Sequence, residues 1–177
     1  RRVTADRLEA EEGRVTLRFA HFVTRTAPVS GTAGLLDLDV AFVGRRAGGR
    51  NTVQLEVTVP VQSLCPCSKA VSDYGAHNQR GRVTVQITPT GPGLEPDALA
   101  ALVEAEASAP IYPIIKRGDE RHVTMQAYDN PVFVEDLTRG VAAALEAHPL
   151  VGAYRVRVVN EESIHNHQAV AERSGGR

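Results

Sequence analysis

Val53-Gln54-Leu55-Glu56-Val57-Thr58-Val59-Pro60-Val61 is the stretch that decides the fold. Its apolar residues stand at every second position, separated by Gln54, Glu56, Thr58 and Pro60. Side chains alternate faces along a strand, so this spacing gives one face to a core and the other to water. The same period recurs on both sides. Val15, Leu17 and Phe19 alternate with Thr16 and Arg18, and Leu36, Leu38, Val40 and Phe42 alternate with Asp37, Asp39 and Ala41. Val83, Val85 and Ile87 alternate with Thr84 and Gln86, and a last strand is expected from Tyr154 to Val159. One wet face and one buried face per strand is the habit of antiparallel sheets. Gly48-Gly49, between two such runs, reads as a hairpin tip.

Two helices are expected among the strands. Glu95-Pro96-Asp97 precedes Leu99, Leu102 and Val103, with proline in the first turn and Pro110 as the stop. Asn130-Pro131 reads as the N-cap and first helical residue of a second helix, with Glu135-Asp136 near its positive end. Val134, Leu137, Val141 and Leu145 form its apolar stripe, and His148-Pro149 ends it. Strands, then two helices, then a strand give an α+β fold with the helices on one face of an antiparallel sheet. Two connections, Gln62 to Gly81 and Pro110 to Asn130, exceed what their joins require, which marks them as functional. Ser174-Gly175-Gly176 reads as part of a flexible tail.

Composition narrows the function. At 177 residues and 42% hydrophobic, the chain is one domain by size, taking about 150 residues per domain, and has enough apolar residues for a core. Twenty Lys and Arg against 21 Asp and Glu leave a net charge of -1, which argues against nucleic acid as a partner. Apolar runs such as Ala98 to Val103 fall far short of the ~20 residues that cross a bilayer, and no signal segment opens the chain. A soluble, cytoplasmic protein with no membrane partner is expected. The first residue is Arg1 rather than Met, and Arg1 to Glu12 are mostly charged, which reads as a start within a longer protein. Only Pro66 separates Cys65 from Cys67, too close and too stiff for a disulfide between them.

The chemistry-bearing residues lie in the long connections and near the end of the chain. Cys65-Pro66-Cys67-Ser68-Lys69 is followed by His77, and Glu162-Ser163-Ile164-His165-Asn166-His167 comes near the end. Thiolate, imidazole and carboxylate together suit zinc or a similar divalent ion. The spacing alone fits small buried cysteines equally well. His21 and His122 read as solvated rings, and His148 as a cation at a helix C-terminus.

Longer motifs add to this reading. Val59 to Lys69, with Ser72-Asp73-Tyr74-Gly75-Ala76-His77-Asn78-Gln79-Arg80, resembles the signature of the type IB GTP cyclohydrolase I family, the prokaryotic form of the first enzyme of folate synthesis. The resemblance continues through Thr26 to Gly31, Tyr112 to Arg117, Asn130 to Asp136 and Glu162 to His167. Ala70 and Gly81 depart from the pattern, at positions given no chemistry.

The resemblance implies a tunnelling fold of two tandem units. Residues 1–51 would be the last strands of an incomplete first unit, 52–167 a complete second unit and 168–177 a tail. Subunits would associate as a homo-oligomer, a tetramer, with active sites between chains. The implied reaction converts GTP and water to 7,8-dihydroneopterin triphosphate and formate. One divalent ion, zinc or manganese, would sit on Cys65, His77, Glu120 and His165, while Asp119 beside Glu120 reads as a solvated turn residue. Cys67 would act at C8 of the purine, its thiolate favoured by Lys69 and the ion. Glu162 and His167 would move protons or orient His165. Glu135 would accept both donors of the guanine amidine edge, and Lys69, Arg80, Lys116 and Arg117 would meet the triphosphate. Two other readings compete: an NADPH-dependent deazaguanine nitrile reductase of the same fold, and an inactive remnant that binds metal or purine.

Overall fold

In the computed structural model, residues 10–176 are described, and most of the charged opening lies outside them. Their strands are β1 (Gly13–Thr26), β2 (Ala33–Ala47), β3 (Arg50–Leu64), β4 (Asn78–Pro89), β5 (Ala109–Pro110), β6 (Val151–Glu161) and β7 (Gln168–Gly176). All join one antiparallel sheet in the order β1-β2-β3-β4-β6-β7. β2 leaves β3 after the pair Asp39 and Thr58, and β5 pairs with β3 further along, at Val61 and Gln62. The expected hairpin tip is present: Gly48 and Gly49 have φ of 55° and 74°, the left-handed values that a two-residue turn needs.

Four helices accompany the strands: α1 (Pro66–Val71), α2 (Pro96–Glu106), α3 (Arg117–Asp129) and α4 (Val134–Ala147). α2 and α4 are the two legible ones. Leu99, Ala100 and Val103 of α2 are buried, as are Leu137, Val141 and Leu145 of α4, the i, i+4, i+8 stripe that faces a core. Beneath them lie Val57, Val59, Val83, Val85, Ile87, Val156 and Val158, all inaccessible to solvent. Each such side chain contributes about 1.5–3 kcal/mol through burial. Arg25 at the end of β1 ties that strand to α2 through a 3.0 Å bond from Nε to Glu104. Burial raises the pKa of Glu104 while Arg25 opposes the rise. Among the described residues, no helix is long and apolar enough to cross a membrane.

Several expectations need correction. Residues 168–176 are no tail: they form β7, paired with β6 from Gln168 opposite Glu161 to Gly176 opposite Ala153. Asn130 closes α3 rather than opening α4, because the backbone of Val132 is tied to Leu64 of β3 and keeps this stretch extended until Val134. Both long connections contain helices, α1 in one and α3 in the other. α3 escaped notice because it buries only Asp119, Val123 and Ala127, too few apolar residues to set a period. Val15, Leu17 and Phe19 remain 55%, 53% and 44% exposed although they alternate as expected. They share the face of Val23 and Leu38, yet α2 and α4 lie over the strands on the other side of β2. Two histidines also differ. The Nε2 of His21 meets Asp97 at 2.5 Å, and Nδ1 of His148 lies 3.2 Å from Leu150 N, closing the turn after α4.

Candidate active site

Antiparallel pairing gathers residues 27–32, 65–77 and 162–167 at one end of the sheet, the bond from Val132 N to Leu64 O brings residues 130–133 to them, and Asp119, bonded to Val29, Ser30 and Lys116, brings residues 111–116. The candidate residues all lie on these connections or in the first few residues of the elements that follow them.

Cys65 follows β3 and caps α1. Its φ of -72° and ψ of 117° are extended, Pro66 takes the first helical position, and Sγ accepts from Ser68 N at 3.4 Å. Cys65 N donates to the His77 carbonyl at 3.1 Å, and His77 N donates to Ser68 Oγ at 3.2 Å. These bonds bring His77, nine residues from Ser68 and twelve from Cys65, against the start of α1. Both cysteines are free thiols, Cys65 half-buried and Cys67 exposed.

The Nδ1 of His77 lies 2.8 Å from Gln79 Oε1 and 3.1 Å from Ser163 Oγ. An amide oxygen can only accept, so Nδ1 carries a proton, and in the neutral ring this leaves Nε2 as the nitrogen with a lone pair. That is the tautomer a metal-ligating imidazole adopts, with its second nitrogen held by an outer partner. Ser163 is two residues from His165, so the loop 162–167 reaches the same ring. His165 and His167 are exposed and stack, with centroids 5.0 Å apart, and Glu162 is half-buried. Thiolate and imidazole donors on these neighbouring segments fit a borderline-soft divalent ion. Among the described residues, however, no three His, Cys, Asp or Glu side chains converge closely enough to hold one. Glu120 is exposed in the first turn of α3, its N bonded to Lys116 O at 2.9 Å.

Asp119 is not solvated. It is fully buried, and Oδ1 accepts from Val29 N at 2.7 Å and Ser30 N at 2.8 Å while Oδ2 accepts from Lys116 N at 2.9 Å. It pins the β1–β2 turn to the start of α3. Hydrogen bonding from Ser30 is the main reason its carboxyl is held well below the usual range; burial opposes, and the backbone N–H groups of Lys116 and Val29 assist. An acid in the first turn of a helix is a recognisable signal, and it was available in Arg117-Gly118-Asp119-Glu120.

The basic residues divide. Lys69 Nζ donates to the Tyr128 carbonyl and sits 4.1 Å from the centre of that ring, so its charge meets the C-terminal end of α3. Lys116 and Arg117 are exposed at the start of α3. Arg80 lines a shallow cleft of about 280 Å³ with Gln62, Asn78, Gln79 and Ile111. Glu135 is exposed in the first turn of α4, downstream of a segment anchored by Val132 N to Leu64 O at 3.1 Å and by Ser63 Oγ to Val132 O at 3.1 Å. Ser63, Ser108 and Asn160, which hold the ends of these segments from beneath, carry no signal in a single sequence.

Comparison with known proteins places the fold and the family. The uricase of Arthrobacter globiformis superposes with a TM-score of 0.50 at 12% identity, over 94% of this chain and 63% of that one, a likeness of fold alone that agrees with a tunnelling fold. The GTP cyclohydrolase FolE2 of Bordetella petrii is 54% identical over 164 residues, covering 93% of this chain and 62% of the relative. That of Methylococcus capsulatus is 53% identical over 165 residues, covering 93% and 61%. The chain therefore spans about three fifths of the length of these relatives. A family model described as type I GTP cyclohydrolase folE2 matches residues 2–171, and the chain belongs to that family.

Proposed function

We propose that this chain carries the reaction site of a GTP cyclohydrolase that converts GTP and water to 7,8-dihydroneopterin triphosphate and formate. The observation that carries the reading is the assembly, at one end of the sheet, of every motif segment in a chain of the folE2 family. In this reading the type is the prokaryotic IB form, a hydrolase acting on a cyclic amidine, working in the cytoplasm.

Guanine is held by Glu135, whose two oxygens accept from N1–H and the exocyclic amine. Arg80, Lys116 and Arg117 lie exposed around the same end and take the triphosphate. Lys69 would join them only by leaving Tyr128. The exposed thiol of Cys67, on α1 beside its half-buried neighbour Cys65, meets the purine at C8. Glu162 and His167 move protons to and from the imidazole nitrogens as the ring opens, or hold His165 in place. Cys65, His77, Glu120 and His165 would hold one divalent ion, zinc or manganese, which when bound lowers the pKa of a water. Among the described residues the sheet has two open edges, β1 and β7, and apolar Val15, Leu17 and Phe19 lie exposed on the first. Both features favour a homo-oligomer, a tetramer with sites between subunits. They also favour the division into a partial unit up to residue 51 and a complete unit after it.

The test is turnover by the complete gene product loaded with zinc or manganese. Formate release from GTP, with pterin fluorescence after oxidation, is expected. A metal-loaded preparation that leaves GTP intact refutes the reading, and NADPH consumption with a nitrile substrate would replace it with reduction.

A further inference from the structure

We propose that Asn160 is a positioning residue that holds three motif-bearing segments in register with one another. The inference rests on the site described above and assigns no contact with substrate.

Asn160 lies on β6, two residues before Glu162, and is 2% exposed. Its Nδ2 donates to Ser63 Oγ at 2.8 Å, and Ser63, itself inaccessible and two residues before Cys65, donates to the Val132 carbonyl at 3.1 Å. Val132 is three residues before Glu135. The polarity of the chain is forced. A carbonyl can only accept, so the single proton of Ser63 goes to Val132, and the Ser63 oxygen receives its other bond from the amide. One relay of side chain to side chain to backbone thus links the segments that lead to His165, Cys65 and Glu135.

The other end of the amide supplies the second observation. Asn160 Oδ1 is buried and, among the described residues, has no hydrogen-bond donor. It lies over Gly81, its register partner on β4, where a Cβ would come within 2.7 Å of that oxygen and 3.1 Å of Val61 Cγ2. The departure of Gly81 from the motif pattern now has a physical reason: the amide occupies the place of its side chain. Gly81 directly follows Arg80, so a fourth segment is drawn in. A buried amide with an orphaned oxygen costs stability that an apolar residue would not. An apolar residue, however, could not bond Ser63 and would leave the relay without its first link.

The experiment uses the complete gene product with Asn160→Ala, Gly81→Ala and the double variant. Amide hydrogen exchange at Leu64, Cys65 and Val132, whose N–H groups are bonded in this region, is read beside kcat/KM for GTP. Asn160→Ala is expected to speed exchange at these amides at least tenfold, leave Val85 and Val156 unchanged, and lower kcat/KM at least tenfold well below its melting temperature. Gly81→Ala should do the same by displacing the amide. Added to Asn160→Ala it should cost little further, because the methyl then enters the space the amide vacated and only its 3.1 Å approach to Val61 Cγ2 remains. Exchange within twofold of the parent at the three amides overturns the proposal, as do losses that simply add in the double variant. If the parent turns over no GTP, the proposed function fails, and the exchange pattern still decides the role of Asn160. If Asn160→Ala does not fold, Ser63→Ala, nearly the same size, breaks the relay at its middle and is expected to release Val132; protection there within twofold of the parent overturns it.

Discussion

Replacing Ser108 by alanine tests how the last residue of β3 is held. β5 is only two residues long and begins with Ala109 opposite Gln62. The N–H of Leu64 therefore lies past the start of that strand partner. Ser108 Oγ accepts it at 3.0 Å from a fully buried position, while the Leu64 carbonyl accepts from Val132 N at 3.1 Å. Alanine removes one oxygen and leaves almost no cavity, so the cost is that of a buried N–H without an acceptor, about 1–3 kcal/mol. At roughly 2–4 °C per kcal/mol for a chain of this size, Tm should fall by about 2–12 °C. Urea unfolding with an unchanged slope should give the same loss. Because Cys65 follows Leu64 directly, kcat/KM for GTP should drop by about tenfold, the scale at which small misplacements are felt in a site. A loss below about 0.5 kcal/mol would show that Leu64 finds another acceptor and that Ser108 does not hold the strand end.

Asp119→Asn should abolish an acid-dependent part of the stability. The folded carboxyl titrates below its ordinary value of 3.8, so its contribution is complete above that value and disappears as pH falls toward the lower folded one. Melting curves from pH 5 down to pH 2, spanning the range below 3.8 where the contribution is lost, should therefore show a shallower acid decline in the variant, and parallel declines would refute the assignment. Cys65→Ala should lose bound metal and GTP turnover together, whereas Cys67→Ala should lose turnover alone; metal analysis beside formate release separates them, and a metal-free Cys67→Ala protein reverses the two roles. Glu135→Ala should keep its metal and bind GTP about a hundredfold more weakly by calorimetry, on the order of 3 kcal/mol for a doubly bonded carboxylate.

The sheet was legible because its strands alternate strictly, as in Val53 to Val61, and α2 and α4 because each buries a regular stripe. α3 was not, since it docks through a carboxylate and two small apolar residues. β7 was obscured by Ser174-Gly175-Gly176, whose composition suggests a loop, yet Gly175 lies so close to Tyr154 that a Cβ there would stand 2.7 Å from the phenol oxygen. In the site, the segments were readable from motifs and the bonds joining them were not. Nothing in Ser63, Ser108, Asp119 or Asn160 taken singly tells which distant N–H or carbonyl each will meet.

The Gly48-Gly49 tip has a practical use. Fifteen residues of β3 at roughly 3.3 Å each put the tip about 45–50 Å from Cys65, with exposed residues on both sides. Neither glycine has any atom within 4 Å of where a Cβ would lie, and the left-handed turn can be opened into a longer loop without disturbing the ladder on either strand. An affinity peptide or a dye inserted between them would serve as a handle for tethering the molecule to a surface, with the candidate site left facing the bath.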